Sequence, residues 1–144
     1  MLTPGAHQHY QPGPDVLRGR VIAVTGAGSG IGRAVALAAA AHGAELILIG
    51  RTVSRLEEVH SLIAALQRCE ASIAPLDLER AIARDYDELA AALQSRYGRL
   101  DGLVHSAGVL GSPAPIEHYD VPTWCRVLHV NLTAAFAPVS YTHL

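Results

Sequence analysis

Short apolar segments alternate with helical patterns along most of the chain. Four segments have the length and composition of buried strands: 21–25, 45–49, 71–76 and 101–105. Three longer segments between them place hydrophobic residues at helical spacing: 30–42, 53–68 and 85–97. A further helix is predicted after Asp120, which is a suitable N-cap residue. This alternation predicts an α/β fold in which right-handed crossovers build a parallel sheet covered by helices on both faces.

The first predicted strand runs directly into a glycine-rich turn, and an alanine-rich helix follows at once. Gly26, Gly30 and Gly32 have the spacing G-x-x-x-G-x-G, which differs from the common dinucleotide-binding motif G-x-G-x-x-G. A turn with almost no side chains lets backbone N–H groups approach a phosphate, and the helix N-terminus adds a partial positive charge. The turn therefore indicates an anion site, although similar turns also occur where nothing binds.

Polar residues follow each predicted strand at its carboxyl end. The four clusters are Thr25-Gly26, Gly50-Arg51, Asp77-Leu78 and residues 105–108. In open parallel sheets, ligands bind beyond the carboxyl ends of the strands, near the point where the strand order reverses. Four clusters at equivalent positions predict a binding site at that edge of the sheet.

Composition and charge exclude several other classes of protein. Half of the residues are hydrophobic and 17% are charged, as in globular domains. With 13 acidic and 11 basic side chains there is no basic field for a nucleic acid, so none is expected as a partner. Cys69 and Cys125 are isolated and the histidines lack ligand spacing, so neither a disulfide framework nor a metal site is predicted. No apolar run reaches the roughly 18 residues of a membrane span, and we expect a cytoplasmic protein.

Residues 25–32, Asp77-Leu78, residues 105–108 and residues 130–132 follow one another in the order of four known motifs. They resemble, in turn, the TGxxxGIG motif, the adenine-contacting pair, the NNAG motif and the helix-borne Asn segment of the short-chain dehydrogenase/reductase family. Residues 9–12 and 108–111 also resemble the YciK-type bacterial oxidoreductases within that family. The resemblance covers residues 10 to 136 in unbroken order. It implies a three-layer, Rossmann-type, doubly wound parallel sheet, here truncated after the fourth strand and its following helix. On this basis residues 20–138 are the N-terminal part of an NAD(P)-binding domain, and residues 1–19, which are rich in Pro, Gly and His, are expected to be a flexible N-terminal arm.

The resemblance also implies a set of cofactor-binding residues. They are Thr25, Gly26, Ser29, Gly30, Ile31, Gly32, Asp77, Leu78, Ser106, Ala107 and Gly108. His105 and Ser106 stand in place of the two asparagines of NNAG, which is a departure from the family motif.

Arg51 indicates which form of the cofactor is bound. Enzymes that select NAD place a carboxylate at the end of the second strand to accept the ribose 2′-OH. Here Ile49-Gly50 is followed by Arg51, and the next acidic residue is Glu57. A guanidinium binds a 2′-phosphate through paired, charge-assisted hydrogen bonds, so NADP is favoured and NAD stays possible. The alternative is that Arg51 is an ordinary solvated turn residue.

Asn131 falls on an apolar stripe of the last predicted helix, together with Trp124, Val127, Leu128 and Ala135. One interpretation is a buried asparagine whose amide is satisfied by neighbouring backbone groups. The resemblance implies instead that Asn131 is a catalytic residue that holds a proton-relay water.

The family's hydride-transferring members also use a Ser and a Tyr-x-x-x-Lys pair, in which the Lys lowers the pKa of the Tyr. Ser140 and Tyr141 do not fit this pair, and all 11 basic residues of the chain are arginine. Residues 139–144 abandon the helical pattern after Pro138 and resemble one reading frame of a transposon-end sequencing adapter, so we expect a non-native tail. This fragment is therefore expected to be inactive by itself.

Two functions remain open at this stage. The first is an NADP-dependent oxidoreductase that transfers hydride to or from a small alcohol or carbonyl substrate, acting in a full-length homodimer or homotetramer as the resemblance implies. The second is a non-catalytic NAD(P)-binding sensor or scaffold.

Overall fold

The structure is a computed structural model that describes residues 11–141, with side chains as far as residue 137. The strands are β1 (Val21–Thr25), β2 (Glu45–Gly50), β3 (Ala71–Pro75) and β4 (Gly102–His105). The helices are α1 (Gly30–Ala41), α2 (Val53–Leu66), α3 (Ala83–Tyr97), α4 (Val121–Leu128) and α5 (Ala134–Tyr141). A 3₁₀ turn (Ile116–His118) precedes α4, and a π-helical segment (His129–Thr133) joins α4 to α5. The strand and helix boundaries agree with the sequence predictions to within two residues for the first seven elements.

All four strands are parallel and have the order β3-β2-β1-β4. This order reverses between β1 and β4, because the chain crosses from the β3 edge back past β1. One face of the sheet packs against α1 and α2 through an apolar cluster that includes Leu46, Leu48 and Leu56. The opposite face packs against α3 through Ile47, Ile49 and Leu93. The predicted three-layer, doubly wound parallel sheet is confirmed.

The predicted apolar stripe of the last helix is wrong in part. Trp124 and Leu128 are exposed, whereas Val130 and Ala134 are buried against the rest of the molecule. Two residues along a helix turn the side chain by about 200°, so Val130 faces the side of the region opposite to Leu128. The π-helical segment carries Asn131, and the predicted burial of this residue is also wrong: Asn131 is exposed.

Pro138 does not end the last helix, contrary to the sequence prediction. The backbone of α5 continues from Ala134 to Tyr141. A proline removes one hydrogen bond from a helix interior and often kinks it, but the helix can continue beyond it. The expected non-native tail lies partly outside the described residues, since 142–144 are not among them.

Residues 13–19 lie against the amino-terminal ends of the strands. The Leu17 N–H donates to the His42 carbonyl oxygen at 3.1 Å, and the Arg68 guanidinium donates to Asp15 at 2.7 Å. Leu17 also packs against the core between the sheet and α1. This part of the predicted arm is thus attached to the domain, and residues 1–10 lie outside the described residues. No helix among residues 11–141 is long and apolar enough to cross a membrane.

Candidate cofactor site

A cleft of about 330 Å³ lies at the carboxyl ends of the strands, beside the β1–β4 boundary where the strand order reverses. Its floor is the glycine-rich turn after β1, and its walls come from the segments after β2, β3 and β4. The lining residues are Gly26, Gly28, Ser29, Gly30, Ile31, Gly50, Arg51, Thr52, Arg55, Leu56, Leu76, Asp77, Leu78, Glu79, Ser106, Ala107, Gly108, Val109 and Val130. The cleft lies where parallel α/β sheets bind their ligands.

Neighbouring segments pack closely against the glycine-rich turn. Gly26 has a φ of +68°, and a Cβ there would lie 2.9 Å from the Cα of Ala107. A Cβ on Gly32 would meet the carbonyl group of Gly26, whose carbon would be only 2.8 Å away. Glycine at both positions therefore lets β1, α1 and the segment after β4 approach closely.

The N-terminus of α1 opens onto the cleft without a side-chain cap. Its N-cap residue Ser29 is extended, and the Ser29 side chain forms no hydrogen bond with the first turn. Ser29, Gly30 and Ile31 all line the cleft. The first N–H groups of a helix lack intrahelical partners, so this end of α1 suits an anion in the cleft.

Thr25 lies behind the cleft and organises one of its walls. The residue is 1% exposed, and its hydroxyl oxygen accepts hydrogen bonds from the N–H groups of Ser106 and Ala107, both at 3.2 Å. The hydroxyl also donates to the Val104 carbonyl oxygen at 3.4 Å. Thr25 thereby fixes the path of the chain where it leaves β4.

Two arginines and two acidic residues line the cleft in the segments after β2 and β3. Arg51 and Arg55 belong to the turn after β2 and the first turn of α2. Asp77 and Glu79 follow β3, and the Asp77 carboxylate accepts the Glu79 N–H at 3.1 Å. An Arg51 nitrogen lies 3.8 Å from a Glu79 oxygen. No carboxylate occupies the end of β2 itself.

Asn131 holds the segment after β4 from outside the cleft. Its amide oxygen accepts the Val109 N–H and its amide nitrogen donates to the Val109 carbonyl oxygen, both at 2.9 Å. The Asn131 amide therefore hydrogen-bonds to neighbouring backbone groups, as one of the two interpretations of this residue expected, but it does so at the surface. A Cβ on Gly108 would lie 3.3 Å from the same amide oxygen.

Most of the residues predicted for the site lie together in the cleft. Those that line it are Gly26, Ser29, Gly30, Ile31, Arg51, Asp77, Leu78, Ser106, Ala107 and Gly108. Thr25, Gly32 and Asn131 do not line it: each supports a neighbouring segment instead.

Sequence reasoning missed two charged lining residues, Arg55 and Glu79. Arg55 lies in the first turn of α2, near the carboxyl end of β2, and that position is the sequence signal that could have indicated it. Glu79 follows the Asp77-Leu78 motif by one residue, but its approach to Arg51 depends on the pairing of β2 with β3.

A glycine-lined cleft at this position in a parallel sheet is typical of dinucleotide-binding α/β proteins. The sequence profile of the short chain dehydrogenase family matches residues 20–142. The chain belongs to this family.

Individual relatives agree with this assignment. The uncharacterised oxidoreductase YciK of Escherichia coli K12 is 39% identical over 128 residues, which are 89% of this chain and 51% of YciK. A short-chain-dehydrogenase structure from Pseudomonas syringae is 43% identical with a TM-score of 0.91, over 93% of this chain and 54% of that one. Another from Escherichia coli CFT073, solved with NADPH, is 38% identical with a TM-score of 0.84, over 91% of this chain and 55% of that one. The chain spans about half the length of the curated relatives it matches.

Proposed function

We propose that this chain is the NADP-binding part of an oxidoreductase that transfers hydride between NADP(H) and a small alcohol or carbonyl substrate. The observation that carries the proposal is the pair of guanidinium groups, Arg51 and Arg55, lining the same cleft as the glycine-rich turn. The NADPH-containing relative supports the same cofactor. The nicotinamide would supply or accept the hydride.

The residues of the cleft fit a dinucleotide along its length. Backbone N–H groups of the turn and the N-terminus of α1 suit the pyrophosphate, because that helix end has no side-chain cap. Arg51 and Arg55 suit a 2′-phosphate, which a guanidinium binds with paired hydrogen bonds. The Asp77 carboxylate is available beside Leu78 for the adenine amino group, and Ala107 and Gly108 line the remaining wall.

Asn131 is proposed to act in the full-length enzyme by holding the segment after β4 and a relay water beside the reacting groups. The Ser and the Tyr-x-x-x-Lys pair are proposed to lie outside these 144 residues. The whole protein is proposed to work in the cytoplasm as a homodimer or homotetramer.

Binding of the reduced cofactors tests the assignment directly. We expect the chain to bind NADPH more tightly than NADH, measured by the change in nicotinamide fluorescence on titration. Replacement of Arg51 by Gln should weaken NADPH binding by about tenfold or more, since hydrogen bonds to charged groups contribute about 1.5–3 kcal/mol. NADH binding should change little.

Arg33→Gln is the matched control, because Arg33 is an exposed arginine of α1 that does not line the cleft. Equal affinities for NADPH and NADH, or equal effects of the two substitutions, would contradict the proposed cofactor.

A further inference from the structure

Glu79 places a negative charge beside the cation that the proposed function assigns to the 2′-phosphate. One Glu79 carboxylate oxygen, Oε2, lies 3.8 Å from Arg51 Nη1 and 2.9 Å from Arg126 Nε. The backbone of Glu79 is fixed by the hydrogen bond from its N–H to Asp77. One carboxylate oxygen is thus shared between a cleft arginine and an arginine of α4.

The two arginines have different positions relative to the cleft. Arg51 lines it, whereas Arg126 contacts Glu79 from α4 and does not line it. Arg55 also lines the cleft and forms no ion pair with the residues that the structure describes. Glu79 can therefore engage Arg51 but its shorter contact is with Arg126.

We propose that Glu79 is a specificity-determining residue that competes with the 2′-phosphate for Arg51, and that Arg126 limits this competition by holding the Glu79 carboxylate. The inference rests on the proposed NADP function and deepens it. A phosphate that binds Arg51 must displace Glu79 from Arg51 or share the guanidinium with it, and the Glu79 carboxylate repels the phosphate. A nucleotide that has no 2′-phosphate neither competes with Glu79 for Arg51 nor is subject to this repulsion.

Because Glu79 is shared between two arginines, removing Glu79 and removing Arg126 should have opposite effects on the binding of 2′-phosphorylated nucleotides. Removing the Glu79 charge frees Arg51 and should tighten binding of 2′-phosphorylated nucleotides. Removing Arg126 leaves Arg51 as the remaining partner of Glu79 and should weaken such binding. Because Arg126 is inferred to act through Glu79, its removal should matter little once Glu79 is neutral.

The test uses 2′,5′-ADP and 5′-AMP, which differ only in the 2′-phosphate, with dissociation constants measured by calorimetry at low ionic strength. The variants of the full chain are Glu79→Gln, Arg126→Gln and the double variant. Glu88→Gln is the matched control, since Glu88 is an exposed carboxylate paired with Arg84 on α3. Glu79→Gln should tighten 2′,5′-ADP binding about two- to fivefold, the scale of a partly exposed ion pair, and leave 5′-AMP binding unchanged.

Arg126→Gln should weaken 2′,5′-ADP binding by a similar factor in the wild-type background and by much less in the Glu79→Gln background. Weaker 2′,5′-ADP binding by Glu79→Gln would show that Glu79 positions Arg51 for the phosphate, which overturns the proposal. A wild-type preference for 2′,5′-ADP that Glu79→Gln does not change also overturns it, and leaves the NADP function intact. Equal wild-type affinities for the two nucleotides remove the NADP function and this inference together.

Discussion

The buried hydroxyl of Thr25 accepts two backbone hydrogen bonds from the segment that follows β4. A hydrogen bond in a folded protein adds only modestly to stability, because the same groups bond to water in the unfolded chain. A buried N–H group that loses its acceptor, however, carries the full cost of its desolvation. Thr25 therefore matters to the cleft through the wall formed by Ser106 and Ala107. The Thr25 side chain thereby links the cluster after β1 to the cluster after β4, which are neighbours in the sheet but far apart in the sequence.

Replacement of Thr25 by Val should destabilise the fold by about 1–3 kcal/mol, because two amide groups lose their acceptor. Thr25→Ser keeps the hydroxyl and is the control. Hydrogen exchange distinguishes the loss of the hydroxyl acceptor from a general loss of packing. After correction for the difference in global stability, the amides of Ser106 and Ala107 should exchange faster in Thr25→Val than in Thr25→Ser. Equal exchange rates in the two variants would contradict the role of the hydroxyl.

The individual site residues differ in how far the sequence could predict them. Gly26 and Gly30 could be predicted because both have a positive φ in the turn between a strand and a helix, a conformation that favours glycine. Thr25 and Gly32 belong to the same motif, but whether a motif residue faces a ligand or its own scaffold depends on packing that spacing does not encode. The contact of Glu79 with Arg51 joins segments brought together by the β2–β3 pairing, so it was visible only in the structure.

At the scale of elements, Asp101 joins the beginning of β4 to the beginning of β1. Its carboxylate accepts hydrogen bonds from the Val21 N–H and from Arg20, both at 2.9 Å, and from Arg99. The Arg99 hydrogen bond is the main cause that holds the pKa of Asp101 well below its usual range, followed by the Val21 N–H and Arg20. The charged carboxylate is therefore the form that ties these two strands together.

This lowered pKa predicts an acid-dependent loss of stability. The unfolded carboxyl titrates near pH 3.9, so the contribution of Asp101 is fully present above about pH 5 and is lost as the pH falls towards the native pKa. Asp101→Asn should lower stability at neutral pH and flatten the decline between about pH 5 and pH 3. Urea unfolding measured at neutral pH and at several pH values between about 5 and 3 tests both effects. An unchanged pH profile in the variant would show that other carboxyl groups dominate the acid response.

The π-helical segment presents Asn131 to the segment after β4, where it pairs with both backbone groups of Val109. Asn131→Ala removes both hydrogen bonds, and Asn131→Asp keeps only an acceptor for the Val109 N–H. The Val109 amide should therefore exchange faster in Asn131→Ala than in Asn131→Asp. The exposed Thr133 of the same segment provides the control variant Thr133→Ala, which should leave this amide unaffected. Equal exchange in all variants would contradict the anchoring role.

The regular elements were easier to predict than the final helical region. The strands follow from short apolar runs, because helices cover both faces of the sheet. The first three helices follow from helical periodicity, because each buries one face against the sheet. In the final helical region the smaller Val130 and Ala134 are buried, whereas the larger Trp124 and Leu128 are exposed. A buried stripe assigned from the larger apolar side chains therefore marks the exposed side of this region.

At the scale of the whole molecule, four large apolar side chains at four-residue intervals remain exposed along α4, the π-helical segment and α5. They are Trp124, Leu128, Leu132 and Phe136. Four-residue steps drift slowly around an α-helix with about 3.6 residues per turn, and the wider π-turn reverses part of this drift. The four side chains therefore stay on one side of the region, which we call the outer apolar row. A contiguous exposed row of this kind is typical of interaction surfaces.

We expect the outer apolar row to make the chain self-associate, in keeping with the proposed homo-oligomer. Leu132 and Phe136 are 66% and 70% exposed, so Leu132→Glu combined with Phe136→Glu should fold normally and shift the population towards monomer in sedimentation velocity. Ile82→Glu is the control, because Ile82 is 62% exposed at the start of α3 and lies outside the row. Charged side chains in an apolar contact are disfavoured unless they are paired, whereas the same charge at an isolated exposed position has little effect. If the Leu132→Glu/Phe136→Glu double variant sediments like the wild type and the Ile82→Glu control, association proceeds through another surface. The edge of the sheet at β4 is then the next candidate.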